Sequence, residues 1–211
     1  MKNNFKKLIK KHAIRLVIVD VDGTIKDLYR EHNKAIEMTF QNLRIEKSLR
    51  AKFAMWLNKF GMMFFKLGCL PTNAKMQHAL LRILSIVTLN NYEVVKELYY
   101  RNCRQFSIVF KDIKQELLTL PENVKVILAS TNHYTVTENL KLRNEFGVSE
   151  IRNKIYKDIL KKEKIKPERV LVIGDNFFDD YVPAKCLGCK VYLVNNYNSC
   201  LKAGICKLIN K

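Results

Sequence analysis

The 211-residue chain carries 38 Lys and Arg against 20 Asp and Glu, a formal net charge of +18, and 48% of its residues are hydrophobic. That apolar content suffices for a packed core and excludes a disordered chain, while seven glycines and four prolines leave no Pro/Gly-rich linker to divide it. The charge attracts anions in general, but the lysines fall in almost every segment without an Arg/aromatic recognition pattern, which favours solvated faces over a nucleic-acid groove.

The densest basic cluster, Lys2, Lys6, Lys7, Lys10 and Lys11, opens the chain. No apolar run with a small-residue cleavage site follows it, so it does not read as a secretory signal. The aliphatic run Ile14–Val19 then reads as a strand buried on both faces, and it ends in Asp20-Val21-Asp22-Gly23-Thr24. Roughly a hundred residues without a clear strand come next, with helical spacing over His32–Leu43, Leu49–Leu67, Ala74–Thr88 and Tyr92–Phe110. A helical insertion of that length between two core strands reads as a cap. Its most apolar stretch, Phe53–Leu70, is interrupted by Lys59 and Lys66 and falls short of the ~20 apolar residues a membrane-spanning helix needs. It is expected to form a buried helix pair or an apolar lid, with membrane contact as the lesser alternative, and no transmembrane segment is expected.

Beyond the insertion, Lys111–Leu120, Thr135–Phe146, Lys154–Glu163 and Val182–Leu187 read as crossover helices, with Pro121 and Pro167 placed where proline stops a helix. Between them lie the strand-like runs Val124–Ala129, Val170–Ile173 and Val191–Val194. The first of these ends in Ser130-Thr131-Asn132 and the second in Gly174-Asp175-Asn176. In an open parallel sheet the ligand crevice lies at the carboxyl ends of the strands. Three polar clusters from distant parts of the chain are therefore expected to meet in one place.

Six cysteines (Cys69, Cys103, Cys186, Cys189, Cys200 and Cys206) without a secretory signal point to free thiols in a reducing, cytoplasmic compartment. Cys186-x-x-Cys189 with Cys200 and Cys206 offers four thiolates to zinc. However, Cys186 is expected on a helix and Cys189 at the head of the apolar strand Lys190–Val194, where a cysteine packs as a small hydrophobe.

Alternation along an extended strand puts Asp20 and Asp22 on one side, so one carboxylate can serve as nucleophile and the next-but-one as acid/base. Asp20-Val-Asp22-Gly-Thr straight after four aliphatics, continued by Ile25-Lys26-Asp27, His32 and Ala35, resembles the first motif of the haloacid dehalogenase-like (HAD) superfamily. It is similar in particular to phosphoglycolate phosphatase-like members, whose cap is inserted directly after that motif. The resemblance continues in order through the chain. Ser130 matches the second motif, with Thr131 as an alternative. Lys154 is the best-placed lysine for the third, with Lys157 as the alternative and without the Lys-Pro signature of many members. Gly174-Asp175-Asn176-Phe-Phe-Asp179-Asp180, followed by Pro183-Ala184-Lys185 and Gly188, looks like the fourth, with Asp180 preferred over Asp179 as its second acid.

The resemblance implies an α/β fold: a Rossmann-like parallel-sheet core over residues 1–29 and 111–211, with an inserted α-helical cap over 30–110. It also implies a Mg²⁺-dependent phosphatase acting on a small phosphorylated metabolite. Asp20 would be the nucleophile and Asp22 the acid/base. Asp20, the Asp22 backbone carbonyl, Asp175 and Asp180 would hold the metal, with Asp180 acting directly or through water. Ser130, Thr131, Asn132 and Lys154 would bind the phosphate. A phosphotransferase or phosphomutase would use the same residues. A basic nucleic-acid-associated protein, including a nucleic-acid-end phosphatase, is the alternative from another class. The second aspartate, Asp22, argues against dehalogenase chemistry.

Overall fold

The computed structural model describes residues 5–66, 74–106, 108–130, 145–148 and 152–196. A short helix α1 (Phe5–Lys11) leads into β1 (Leu16–Asp20), and four helices follow: α2 (Leu28–Asn42), α3 (Leu49–Lys66), α4 (Ala74–Thr88) and α5 (Tyr92–Gln105). The chain then alternates through α6 (Lys111–Leu118), β2 (Lys125–Ser130), β3 (Glu145–Val148), α7 (Arg152–Glu163), β4 (Val170–Gly174), α8 (Val182–Cys186) and β5 (Lys190–Leu193). The five strands form one sheet in the order β3-β2-β1-β4-β5, with every neighbouring pair parallel.

β1 lies at the centre, and all five of its residues are buried, as a continuous aliphatic run requires. Its alternate side chains feed two cores. Val17 and Val19 join Ile9 of α1 and Ile113 and Leu117 of α6 on one face. Leu16 and Ile18 meet Ile155 and Ile159 of α7 and Ala184 of α8 on the other. The result is a three-layer α/β sandwich of Rossmann-like type.

The helices α2–α5 bury a separate hydrophobic cluster of their own, centred on Ile36, Phe40, Leu81, Leu84, Val95 and Tyr99. Asp27 caps α2, its side chain accepting a hydrogen bond from the Arg30 N–H at 3.1 Å. The chain enters and leaves this bundle through two extended segments that run side by side. The Asp27 N–H donates to the Ile108 carbonyl and the Phe110 N–H to the Ile25 carbonyl, both at 2.8 Å. For that reason α5 stops at Gln105 instead of continuing to Phe110: residues 108–110 spend their backbone hydrogen bonds on the ribbon.

Two other expectations change. The helical reading of Thr135–Phe146 lies mostly outside the described residues, but Glu145 and Phe146 belong to β3, a short edge strand paired to β2. The aromatic residues of Phe53–Leu70 do not go inside as far as they are described. Phe53, Trp56 and Phe60 are more than half exposed, and α3 turns Ala51, Ala54 and Asn58 inward instead. Small inward residues let α3 pack closely on its neighbours, which leaves the large rings outside. Among the described residues no helix is long and apolar enough to cross a membrane.

Candidate active site

Parallel pairing puts the carboxyl ends of β1, β2 and β4 side by side, and the polar residues at those ends converge. Asp20, Asp175 and Asp180 are all buried, and each offers a carboxylate oxygen within 4.8 Å of the other two. Like charges about 4 Å apart repel by about 4 kcal/mol at an effective dielectric of 20. Three such carboxylates together call for a cation or for protons. The donor set is all oxygen, the chemistry of a hard divalent ion. Octahedral Mg²⁺ with ligands at about 2.1 Å sets them about 3–4 Å apart, so small adjustments would fit these three residues to it.

Close backbone approach shapes the cluster. Gly23 has φ +89°, and a Cβ there would stand 2.7 Å from Oδ1 of Asp175. A Cβ on Gly174 would lie 2.2 Å from the Asp180 carboxyl group. Both glycines are therefore dictated by the acids beside them. Asp180 reaches the cluster through a π-type turn at Phe177–Tyr181. Its Oδ2 accepts from the N–H groups of Asp175 and Asn176, both at 3.0 Å, and its Oδ1 accepts from the Tyr156 hydroxyl at 2.9 Å. Asp180 thus frames the loop that carries Asp175. Asp179 is only half-buried and falls outside the cluster.

The turn after β1 is held from three sides. Thr24 donates its hydroxyl to Oδ2 of Asp20 at 3.2 Å. The Val21 N–H continues the sheet to the Ala129 carbonyl at 3.2 Å, and Ser130 donates its Oγ–H to Oδ2 of Asp22 at 2.7 Å. Asn196, just beyond β5, donates its side-chain N–H groups to the carbonyls of Gly23 and Thr24 at 2.9 and 2.7 Å. The structure thus brings together Asp20, Asp22, Ser130, Asp175 and Asp180. Thr131 and Asn132 lie outside the described residues. Lys154 and Lys157 are exposed on α7, and neither forms a hydrogen bond or ion pair among the described residues. Of the thiols considered for zinc, Cys186 is exposed, whereas Cys189 is buried and its pKa is pushed up to about 11 by desolvation. Cys200 and Cys206 lie outside the described residues.

A second buried polar group went unread in the sequence. Lys26 Nζ pairs with Oε2 of Glu31 at 3.0 Å, with both side chains 5% exposed, and Glu31 Oε1 accepts from the Ile108 N–H at 2.7 Å. Burial raises the Glu31 pKa to about 7 despite the opposing pull of Lys26, and the charge of Asp22 adds a small upward push. His32 is held against the hydroxyl of Tyr99, and burial lowers its pKa to about 4. The signal was present: Glu31 and His32 stand on the same stripe of α2 as the core residues Ala35, Ile36, Thr39 and Phe40. Charged residues on a core face are rarely left unpaired.

A family model described as haloacid dehalogenase-like hydrolase matches residues 14–188. No curated protein matches the sequence. Among solved structures, the fold is similar to a HAD-hydrolase candidate of Bacillus subtilis, YfnB, in a magnesium-bound crystal form that reveals interdomain movement. The TM-score is 0.69 at 14% identity over 88% of this chain and 89% of that one. It is also similar to a predicted phosphoglycolate phosphatase of Haemophilus somnus 129PT (TM-score 0.60, 12% identity, 84% of each chain). A β-phosphoglucomutase candidate of Thermotoga maritima aligns with TM-score 0.56 and 15% identity over 92% and 91% of the two chains. At these identities the likenesses carry the fold and not the substrate.

Proposed function

The chain belongs to the haloacid dehalogenase-like hydrolases, and from that membership we propose that it is a Mg²⁺-dependent phosphatase of a small phosphorylated metabolite, working through an aspartyl-phosphate on Asp20. The observation that carries the reading is the meeting of three buried carboxylates with the Asp22–Ser130 pair at one end of the sheet. Mg²⁺, held by Asp20, the Asp22 carbonyl and Asp175 with Asp180 behind them, would neutralise the phosphate and the nucleophile so that they can approach.

In the proposed reaction Asp20 attacks phosphorus in line, and the bond to the leaving oxygen breaks as Asp22 protonates that oxygen. Asp22, now ionised, takes a proton from water. The water oxygen then attacks the aspartyl-phosphate and releases Asp20 with inorganic phosphate. Ser130 holds Asp22 before substrate binds and would turn its single hydroxyl proton to a phosphate oxygen afterwards, with Thr131 and Asn132, next in the sequence, binding the phosphate as well. Lys154 supplies the ammonium. It stands in the first turn of α7, where side chains tilt toward the helix N-terminus and hence toward the carboxyl ends of the strands. It would swing in from solvent when phosphate binds.

The bundle α2–α5, roughly residues 30–110, would act as a cap over the core of residues 1–29 and 111–211. It would close by bending at the ribbon of residues 25–27 and 108–110, a domain motion like the interdomain movement described for the magnesium-bound YfnB crystal. Cys103, Cys186 and Cys189 are free thiols, as suits the reducing cytoplasm in which we place the protein.

The test is a screen of phosphorylated metabolites, phosphorylated oligonucleotide ends and a generic aryl phosphate, with inorganic phosphate measured in the presence and absence of Mg²⁺. Mg²⁺-dependent release from one or a few small metabolites is expected. Absence of turnover on every substrate, or turnover requiring zinc, would overturn the reading.

A further inference from the structure

Helix α3 faces the wrong way for a core helix. At 100° per residue, Leu49, Phe53, Trp56 and Phe60 fall within an arc of about 60°. They are 82%, 57%, 59% and 52% exposed. The buried residues Ala51, Ala54 and Asn58 occupy the opposite side. Phe53, Trp56 and Phe60 stack in sequence, with ring centroids 6.0 Å apart at each step and planes within 20° of parallel. With Leu49 ahead of it, this ladder of parallel rings on an outer helix face makes a preformed apolar surface about 16 Å long.

The charges beside this surface are of one sign on its own helix. α3 carries no acidic residue, and Arg50 on one flank and Lys52 and Lys59 on the other are exposed. Glu37 and Glu46 line the same groove beside α3 as Lys52, Trp56 and Lys59, and Glu37 is already paired with Lys34 at 3.6 Å. The whole chain carries +18. A second copy laid on the same face would set +18 against +18, which disfavours self-association there. An anionic membrane surface answers both features at once. Rings and Leu enter the headgroup boundary, Trp sits at the interface, and Lys and Arg reach to lipid phosphates with their stems along the apolar face.

We propose that α3 docks the protein on anionic lipid bilayers through the Leu49–Phe53–Trp56–Phe60 stripe and its flanking basic residues. The helix lies in the plane of the interface and does not span it. The proposal is independent of the phosphatase reading, since none of these residues belongs to the carboxylate cluster.

Trp56 is the only tryptophan of the chain, so its fluorescence reports on this stripe alone. The experiment titrates the full-length protein with vesicles of phosphatidylcholine alone and of phosphatidylcholine with phosphatidylserine, and follows Trp56 emission alongside vesicle flotation. The expected result is a shift of emission to shorter wavelength and co-flotation with the anionic vesicles, weakened by added salt. Phe53→Ser with Phe60→Ser should raise the lipid concentration for half-binding by on the order of tenfold or more, with an unchanged circular dichroism melt. Lys52→Glu with Lys59→Glu should weaken binding while keeping the rings. Three results would overturn the proposal: no shift at millimolar anionic lipid, equal binding to neutral vesicles, or a lipid-free shift that tracks protein concentration and a dimer in sedimentation.

Discussion

Ser130 Oγ donates a 2.7 Å hydrogen bond to Oδ2 of Asp22, joining residues 108 positions apart at the adjacent ends of β2 and β1. The bond fixes the rotation of the carboxylate proposed to carry the proton. Hydrogen bonds to charged groups contribute about 1.5–3 kcal/mol, so Ser130→Ala is expected to lower kcat about 10- to 100-fold. Steady-state hydrolysis of an aryl phosphate measures it, and an unchanged kcat would remove Ser130 from the machinery.

Asp20→Asn keeps the shape of the side chain and removes both the proposed nucleophile and one charge of the cluster. Turnover is expected to fall at least about a thousandfold with the fold intact by circular dichroism. A variant that retains a tenth of the activity would transfer the nucleophile's role elsewhere.

Relief of repulsion among Asp20, Asp175 and Asp180 should be visible without any substrate. Mg²⁺ at about 100 times its Kd stabilises a native state that alone binds it by about 2.7 kcal/mol, or about 5–10 °C in Tm for a chain of this size. EDTA should reverse that shift and silence turnover. Asp175→Asn should abolish both the thermal response and the activity.

The proposed lysine, Lys154, stands in the first turn of α7, and substitution tests it directly. Lys154→Ala is expected to lower kcat on the order of a hundredfold, the scale for removing a charge that stabilises the transition state, while Lys157→Ala stays near wild type. The reverse pattern would move the role one turn along α7. Full activity in both would leave Lys26, buried four residues after Asp22, as the next ammonium to test.

The buried ion pair predicts a pH-dependent stability. Lys26→Met leaves Glu31 buried without its cation and is expected to cost about 3–5 kcal/mol above pH 7. The loss should shrink toward pH 5, where Glu31 is protonated. In the wild type, Glu31 has a folded-state pKa raised from 4.5 to about 7, so its contribution is present at low pH and is lost as pH rises through that window. His32, depressed from 6.5 to about 4, acts oppositely: its contribution is present above pH 6.5 and is lost as pH falls toward 4. Urea midpoints from pH 4 to 8 should therefore improve relative to wild type toward neutral pH for Glu31→Gln, and toward acid pH for His32→Gln.

The sheet was readable where its strands are buried on both faces. The run Ile14–Val19 admits little else, and the acids at its end and at the end of β4 follow from parallel pairing. β3 was missed because a four-residue edge strand carries too little pattern to stand out from the helical spacing before it. Lys26 and Glu31 were missed for a different reason. Spacing shows which face of α2 is apolar, but only the crossing of residues 108–110 reveals that a charge on that face has a partner. The exposed rings of α3 show the limit of composition: an apolar helix fits a buried pair or an outer lid equally until Ala51, Ala54 and Asn58 are seen to occupy the inner face.

β1 is central, yet both strands that flank it are synthesised after the entire helical bundle. While the ribosome works through roughly a hundred intervening residues, the first strand has no sheet partner, and its five aliphatic-rich residues are open to misassociation. The bundle has its own hydrophobic cluster built from neighbouring helices, so it can condense during this interval and shorten the effective distance between β1 and β2. Translation order thus favours a route in which the inserted helices fold first and the catalytic sheet, though it starts the chain, is completed last.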